Sequence, residues 1–162
     1  MELIPEPTKE FNKNIFFENL EKYGQAIKIK CVEVSELSKS KINNKPTIFL
    51  NLEILTEFPI KKRDGKGNTI KINPLNQIIN LPYSLTETRQ DNIFKVSNNS
   101  NIWPLLNHAL KVNNLIPENN SRGFNIAIEE IQDNLTDMVF NVMCILQKET
   151  SYTPYYKLIV AP

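Results

Sequence analysis

The chain has 162 residues, 41% of them hydrophobic and 23% charged, the composition of one ordinary globular domain large enough to bury its core without staples. A net charge of +1 provides no global field toward nucleic acid or membrane, so any such attraction has to come from local clustering. With 4 glycines and 10 prolines there is no room for a flexible linker, and no apolar run approaches the ~18 residues that span a bilayer.

Residues Met1 to Glu10 carry three acidic groups and two prolines, with neither a charged n-region nor an apolar h-region. The expectation is no secretory signal and a cytoplasmic protein. From Thr8 to Tyr23, Phe11, Ile15, Leu20 and Tyr23 trace a ragged helical stripe into which Phe16 and Phe17 do not fit, and Gly24 ends it. Residues 1–24 are therefore expected to form an N-terminal arm or short helix, and 25–162 the domain proper. Ile27 to Val34 alternates Ile27, Ile29 and Cys31 against Lys28, Lys30 and Val32, which reads as a first strand. Ser35 to Pro46 is a polar loop.

Thr47 to Leu55 has the clearest pattern in the chain. Ile48, Leu50, Leu52 and Ile54 fall on one side of an extended strand, and Thr47, Phe49, Asn51 and Glu53 on the other. Asp64-Gly65 and Gly67-Asn68 are turn dipeptides, so Phe58 to Ile72 reads as a hairpin or a loop between strands. Thr69 to Asn73 and Gln77 to Leu81 are strand pieces interrupted by Pro74, Tyr83 to Asn92 is expected to be loop, and Ile93 to Val96 is too short to assign. Asn101 to Val112 is a helix: Ile102, Leu105, Leu106, Ala109 and Leu110 recur at three and four. Pro104 places its start, with Asn101 as N-cap, and Asn113-Asn114 its stop. Phe124 to Ile131, Met138 to Gln147 and Tyr155 to Val160 complete the strands, with Asp133-Asn134 as a turn. The order predicts a mainly β protein, an OB-fold-like five-stranded barrel with one helix between strands 3 and 4 and extra terminal segments.

Catalytic and metal-binding patterns are thin. His108 is the only histidine, it lies off the apolar stripe of its helix, and no cysteine pair has zinc spacing. Gly65-Lys66-Gly67-Asn68-Thr69 contains the residue types of a phosphate loop but not their order. Glu129, Glu130, Asp133 and Asp137 surround one expected turn and read as solvated carboxylates. Cys31 and Cys144 read as small buried hydrophobes. No enzyme, no cofactor and no metal is expected.

Binding residues are easier to nominate. Lys28 and Lys30 on the first strand, Phe49 and Asn51 on the second and Lys71 on the third point away from the core, and in an OB-fold those strands are neighbours. Lysines around one aromatic suit phosphates plus a stacked base. Lys61, Lys62, Arg63 and Lys66 crowd four positive charges against Asp64 in the hairpin. The competing reading leaves the lysines as solvated alternation and tucks Phe49 under the N-terminal arm. Trp103 reads as core, while Tyr152, Tyr155 and Tyr156 either stack bases or close the barrel.

Three stretches carry a family resemblance: Lys28 to Val34, ending Val-Glu-Val; Ser38 to Leu55, a Ser- and Lys-containing loop leading through Pro46 into the alternating strand; and Phe94 to Leu110, FKVSNNSNIWPLLNHAL. Together, over about half the chain, this pattern resembles the single-stranded DNA-binding OB-fold proteins of phages and archaeal mobile elements. The opening strand signature of the bacterial single-stranded DNA-binding proteins is absent, and residues 157–162 are not their acidic partner-binding stretch. The resemblance implies a non-enzymatic protein that binds single-stranded DNA, or RNA, in replication or recombination. The alternative is a protein-interaction or assembly module of a virus or mobile element built on the same β-barrel.

Overall fold

The computed structural model describes residues 11–39, 44–63, 65–115, 123–149 and 154–161. They fall in two compact units, neither a consecutive stretch of chain: one from segments 1–30, 53–79 and 140–162, the other from 31–52 and 80–139.

The first unit opens with helix α1, Lys13–Tyr23. Asn12 caps it, its Oδ1 accepting from the Ile15 N–H at 3.0 Å, and Gly24 ends it in the left-handed region at φ 68°. The buried face is Phe16, Asn19 and Leu20, so Phe16 belongs to the stripe that the sequence pattern excluded it from. The Phe16 ring meets Phe58 edge-on at 6.1 Å, and Tyr23 lies 5.8 Å from Phe58. Such pairs add ~0.5–1.5 kcal/mol beyond the area they bury. Strand β1 runs Ile27–Val34 and starts in this unit, whereas short β2, Ser38–Lys39, and all but the end of β3, Pro46–Ile54, belong to the second unit. Then come the hairpin strands β4 (Ile60–Arg63) and β5 (Thr69–Ile72), followed by β6, Ile78–Ser84. Pro74 lies in the link before β6, where no ladder bond is asked of it.

The second unit adds β7 (Thr86–Glu87), β8 (Ile93–Val96), helix α2 (Trp103–Val112), β9 (Phe124–Ala127) and helix α3 (Ile128–Leu135). Strand β10, Val139–Glu149, and β11, Pro154–Val160, close the order and return the chain to the first unit. Helix α2 buries Leu105, Leu106, Ala109 and Leu110, and Asn114, at φ 58°, turns the chain after it. Its N-cap position is Ile102, fully buried and without a side-chain cap bond, rather than Asn101. At the start of β9, Gly123 sits at φ 120° with the Val96 carbonyl oxygen only 2.3 Å from where a Cβ would stand, so only glycine fits.

The fold is mainly β, but not the expected five-stranded barrel. Strands β11, β10, β1, β3 and β2 lie side by side in that order, with β6 added to β3, and this six-stranded sheet does not close on itself. Strands β4 and β5 form a separate ribbon, and β7, β8 and β9 a third sheet. Helix α2 therefore precedes the ninth strand, not the fourth. Two further expectations fail in the same region. The strand expected from Phe124 to Ile131 becomes helix after Ala127, so Asp133 and Asn134 lie inside α3 instead of in a turn. Tyr83 to Asn92 holds the end of β6 and all of β7, with Tyr83 and Leu85 buried.

The inner face of β3 matches its sequence: Ile48, Leu50, Leu52 and Ile54 are all fully buried. Thr47, assigned outward, is buried too, its Oγ1 donating to the Lys45 carbonyl at 3.1 Å. On β1 the alternation holds through Cys31 and then breaks, because Glu33 is exposed where a strict period of two would bury it. Opposite Cys31 the chain is bulged. The Asp137 N–H donates to the Cys31 carbonyl at 2.7 Å, the Cys31 N–H donates to Met138 at 2.9 Å, and Asp137 takes φ 67°.

Candidate nucleic-acid interface

The β4–β5 ribbon is antiparallel and in strict register: Ile60 opposes Ile72, Lys61 opposes Lys71, Lys62 opposes Ile70, and Arg63 opposes Thr69. Directly opposed residues share a face. One face thus carries Ile60, Lys62, Ile70 and Ile72, which are buried or half-buried; the other carries Lys61, Arg63, Thr69 and Lys71, all exposed. Among the described residues, no hydrogen bond or ion pair engages the side chains of Lys61, Arg63 or Lys71. Lys66 is exposed in the turn, beside Gly67 at φ 84°.

Asn19 of helix α1 hydrogen-bonds to the backbone of this ribbon. The buried Asn19 amide accepts from the Lys61 N–H at 3.0 Å and donates to the Lys61 carbonyl at 3.3 Å, while also donating to Ile15 at 2.8 Å. It imitates a neighbouring strand along the free edge of β4. The sequence reading missed Asn19. Its signal is a polar residue three positions after Phe16, on a face otherwise apolar, where an unpaired amide would be costly.

Lys28 and Lys30 belong to the same unit. Lys28 is exposed, its N–H donating to Thr56 Oγ1 at 2.8 Å and its carbonyl accepting from Leu55 at 2.9 Å; Lys30 is half-buried. Strand β1 is a neighbour of β3 as expected, but β5 is not part of that sheet, so Lys71 shares no sheet face with Lys28, Lys30 or Phe49.

Phe49 and Asn51 lie in the other unit, where the outer face of the sheet is organised differently. The Asn80 Nδ2 donates to Asn51 Oδ1 at 2.6 Å, and the Asn51 Nδ2 donates to Glu33 Oε2 at 3.3 Å. This row across β6, β3 and β1 satisfies Asn51 from both sides. Phe49 is half-buried, with its backbone exchanging two hydrogen bonds with Ser35, one from the Ser35 hydroxyl's oxygen as acceptor. Of the tyrosines, Tyr156 stacks on Phe17 at 6.1 Å and Tyr155 is 48% exposed on the sheet's outermost strand, while Tyr152 lies outside the described residues. Trp103 packs against Phe124 at 5.3 Å.

The two thiols are poor nucleophiles. Burial pushes Cys31 up to about 11, partly offset by backbone hydrogen bonding at Glu33 and with the Asp137 carboxylate adding to the rise. Burial likewise pushes Cys144 up to about 12, and Glu21 adds to it. His108 is half-buried on α2. No group of three metal-ligating side chains exists among the described residues, and no described helix is long and apolar enough to cross a membrane. No family model, no curated protein and no solved structure matches the chain.

Proposed function

We propose that this chain is a non-enzymatic single-stranded DNA-binding protein serving replication or recombination. The carrying observation is the exposed face of the β4–β5 ribbon, where Lys61, Arg63 and Lys71 stand together with no acidic side chain among the described residues of the ribbon. Local clustering of this kind supplies the field that a net charge of +1 does not. Lys28 and Lys30 are two further cations in the same unit, on β1; Phe49, half-buried on β3 in the other unit, is a separate candidate for base stacking. Fluorescence anisotropy with labelled oligo-dT at about 50 mM salt tests it. Non-specific binding falls in the ~10⁻⁴–10⁻⁶ M range at physiological salt and tightens as salt falls. An unbound oligonucleotide at about 10 µM protein therefore overturns the proposal.

A second reading, a protein-interaction or assembly module, rests on the β10–β11 edge. Ile145, Leu146 and Tyr155 are each about two-fifths exposed or more there, and β11 is the last strand of its sheet. Light scattering of the chain with and without oligo-dT separates the two, since this reading expects self-assembly or partner binding that the oligonucleotide leaves unchanged.

A further inference from the structure

The like-charged pair at the centre of the ribbon has a geometry of its own. The Lys61 N–H is given to Asn19, so it is not available to β5. Lys61 and Lys71 are therefore a non-hydrogen-bonded pair, the kind with Cα atoms about 4.5 Å apart and side chains closest together. Like charges placed directly opposite one another destabilise a hairpin. A solvated ribbon would gain from an acid or a threonine at either place, and the adjoining pair, Arg63 with Thr69, has one. Along β4, Lys61 and Arg63 are two residues apart, about 6.8 Å on one face. That step is comparable with the separation of successive phosphates in an extended single strand.

We infer that the outer face of the β4–β5 ribbon is a phosphodiester clamp, in which the opposed Lys61 and Lys71 bracket one phosphate while Arg63 and Thr69 receive the next. The inference rests on the single-strand reading for its ligand and adds the atoms that hold it. The four paired residues of that face, Lys61, Arg63, Thr69 and Lys71, carry neither an aromatic ring nor an amide, so the clamp reads backbone charge and not base identity. A bound phosphate also removes the repulsion between the two lysines, so occupation and ribbon stability rise together. The two Asn19 bonds fix the backbone at Lys61 before any ligand arrives, which lowers the ordering cost of binding.

The test compares Lys71→Glu with Lys111→Glu, a change of the same charge at an exposed position near the end of α2. Glutamate at 71 faces Lys61 and makes an opposite-charge pair, so the melting temperature should equal or exceed that of the wild type. Affinity for oligo-dT at about 50 mM salt should nevertheless fall roughly tenfold or more, the scale of a lost charged hydrogen bond. Lys111→Glu, which leaves every residue of the ribbon unchanged, should stay within about twofold. Should Lys71→Glu melt below the wild type, Lys71→Thr keeps a strand former there and carries the same affinity comparison. Wild-type affinity in the Lys71 variant, or equal losses in both glutamate variants, overturns the clamp and leaves the single-strand reading standing. If the wild type instead ignores oligo-dT but binds inorganic polyphosphate in a Lys71-dependent way, the clamp stands and the DNA reading falls.

Discussion

The β4–β5 ribbon and the Glu33–Asn51–Asn80 row are both lines of polar side chains on the outer faces of strands, and they are satisfied in opposite ways. In the row each amide meets another protein group, at 2.6 and 3.3 Å. On the ribbon the backbone is satisfied by Asn19 while the side chains of Lys61, Arg63 and Lys71 are left to solvent. Asn51, nominated as a binding residue on its outward position alone, is thus already engaged. Outward direction is a weaker guide to a binding residue than an unspent hydrogen-bonding or charge capacity.

The largest separation of the two regions should come from changing the three exposed cations of the ribbon face, Lys61, Arg63 and Lys71, together to Ala. Counterion release predicts weaker binding to every sequence alike, and a slope of log K against log salt reduced by up to ~0.7 per lost phosphate contact. The melting temperature should move little, because the Asn19 bonds go to the backbone at position 61 and survive the change. Unchanged affinity and slope would reduce the ribbon to a solvated hairpin. Phe49→Ala, on the sheet face, should cost ~1–3 kcal/mol of oligo-dT binding while leaving that slope intact. A lower melting temperature with unaltered affinity would instead make the ring part of the core.

Asn19→Ala and Asn51→Ala sharpen the same contrast from the stability side. The first strands a backbone N–H and a carbonyl beside a buried position and should cost ~1–3 kcal/mol in denaturant unfolding. The second breaks bonds open to water and should cost no more than ~1 kcal/mol, with binding unchanged. Equal costs would mean that the ribbon is not held by its amide.

A smaller effect should follow from the thiols, one in each unit. Both are raised from 9.0, Cys31 to about 11 and Cys144 to about 12, so the folded chain keeps protons that the unfolded chain gives up. Their contribution to stability is complete below pH 9 and lost as pH rises through 11 and 12. Iodoacetamide at pH 8 should accordingly modify neither thiol until denaturant is added, as intact-mass spectrometry would show; rapid labelling of the native chain would contradict their burial.

Local pattern was enough for the sequence to determine several elements. The parity of Ile48, Leu50, Leu52 and Ile54 defines β3 because side chains on a strand alternate whatever surrounds them. Gly24 after Tyr23, and Pro104 followed by apolar residues at three and four, bound two helices because backbone φ is set within a few residues. The wealth of asparagine also acquires a structural use: Asn44, Asn76, Asn92 and Asn114 take positive φ in a chain with only 4 glycines. Where two periods coexist, the sequence was undecided. Phe124, Ile126 and Ile128 alternate as a strand, while Ile128, Ile131 and Leu135 recur as a helix, and the chain uses both in turn. Asn134 lies within that helix, donating to the Glu130 carbonyl and accepting from Asn113, the residue that follows α2, and no local signal announces such a partner. The tertiary structure alone decided which strands share a sheet. The β4–β5 register follows from its own turn, but what lies along the free edge of β4 depends on Asn19, 42 residues away in the chain. Pairing of that kind is fixed by which edges are left to satisfy once the core has formed, and that is not written in any one segment.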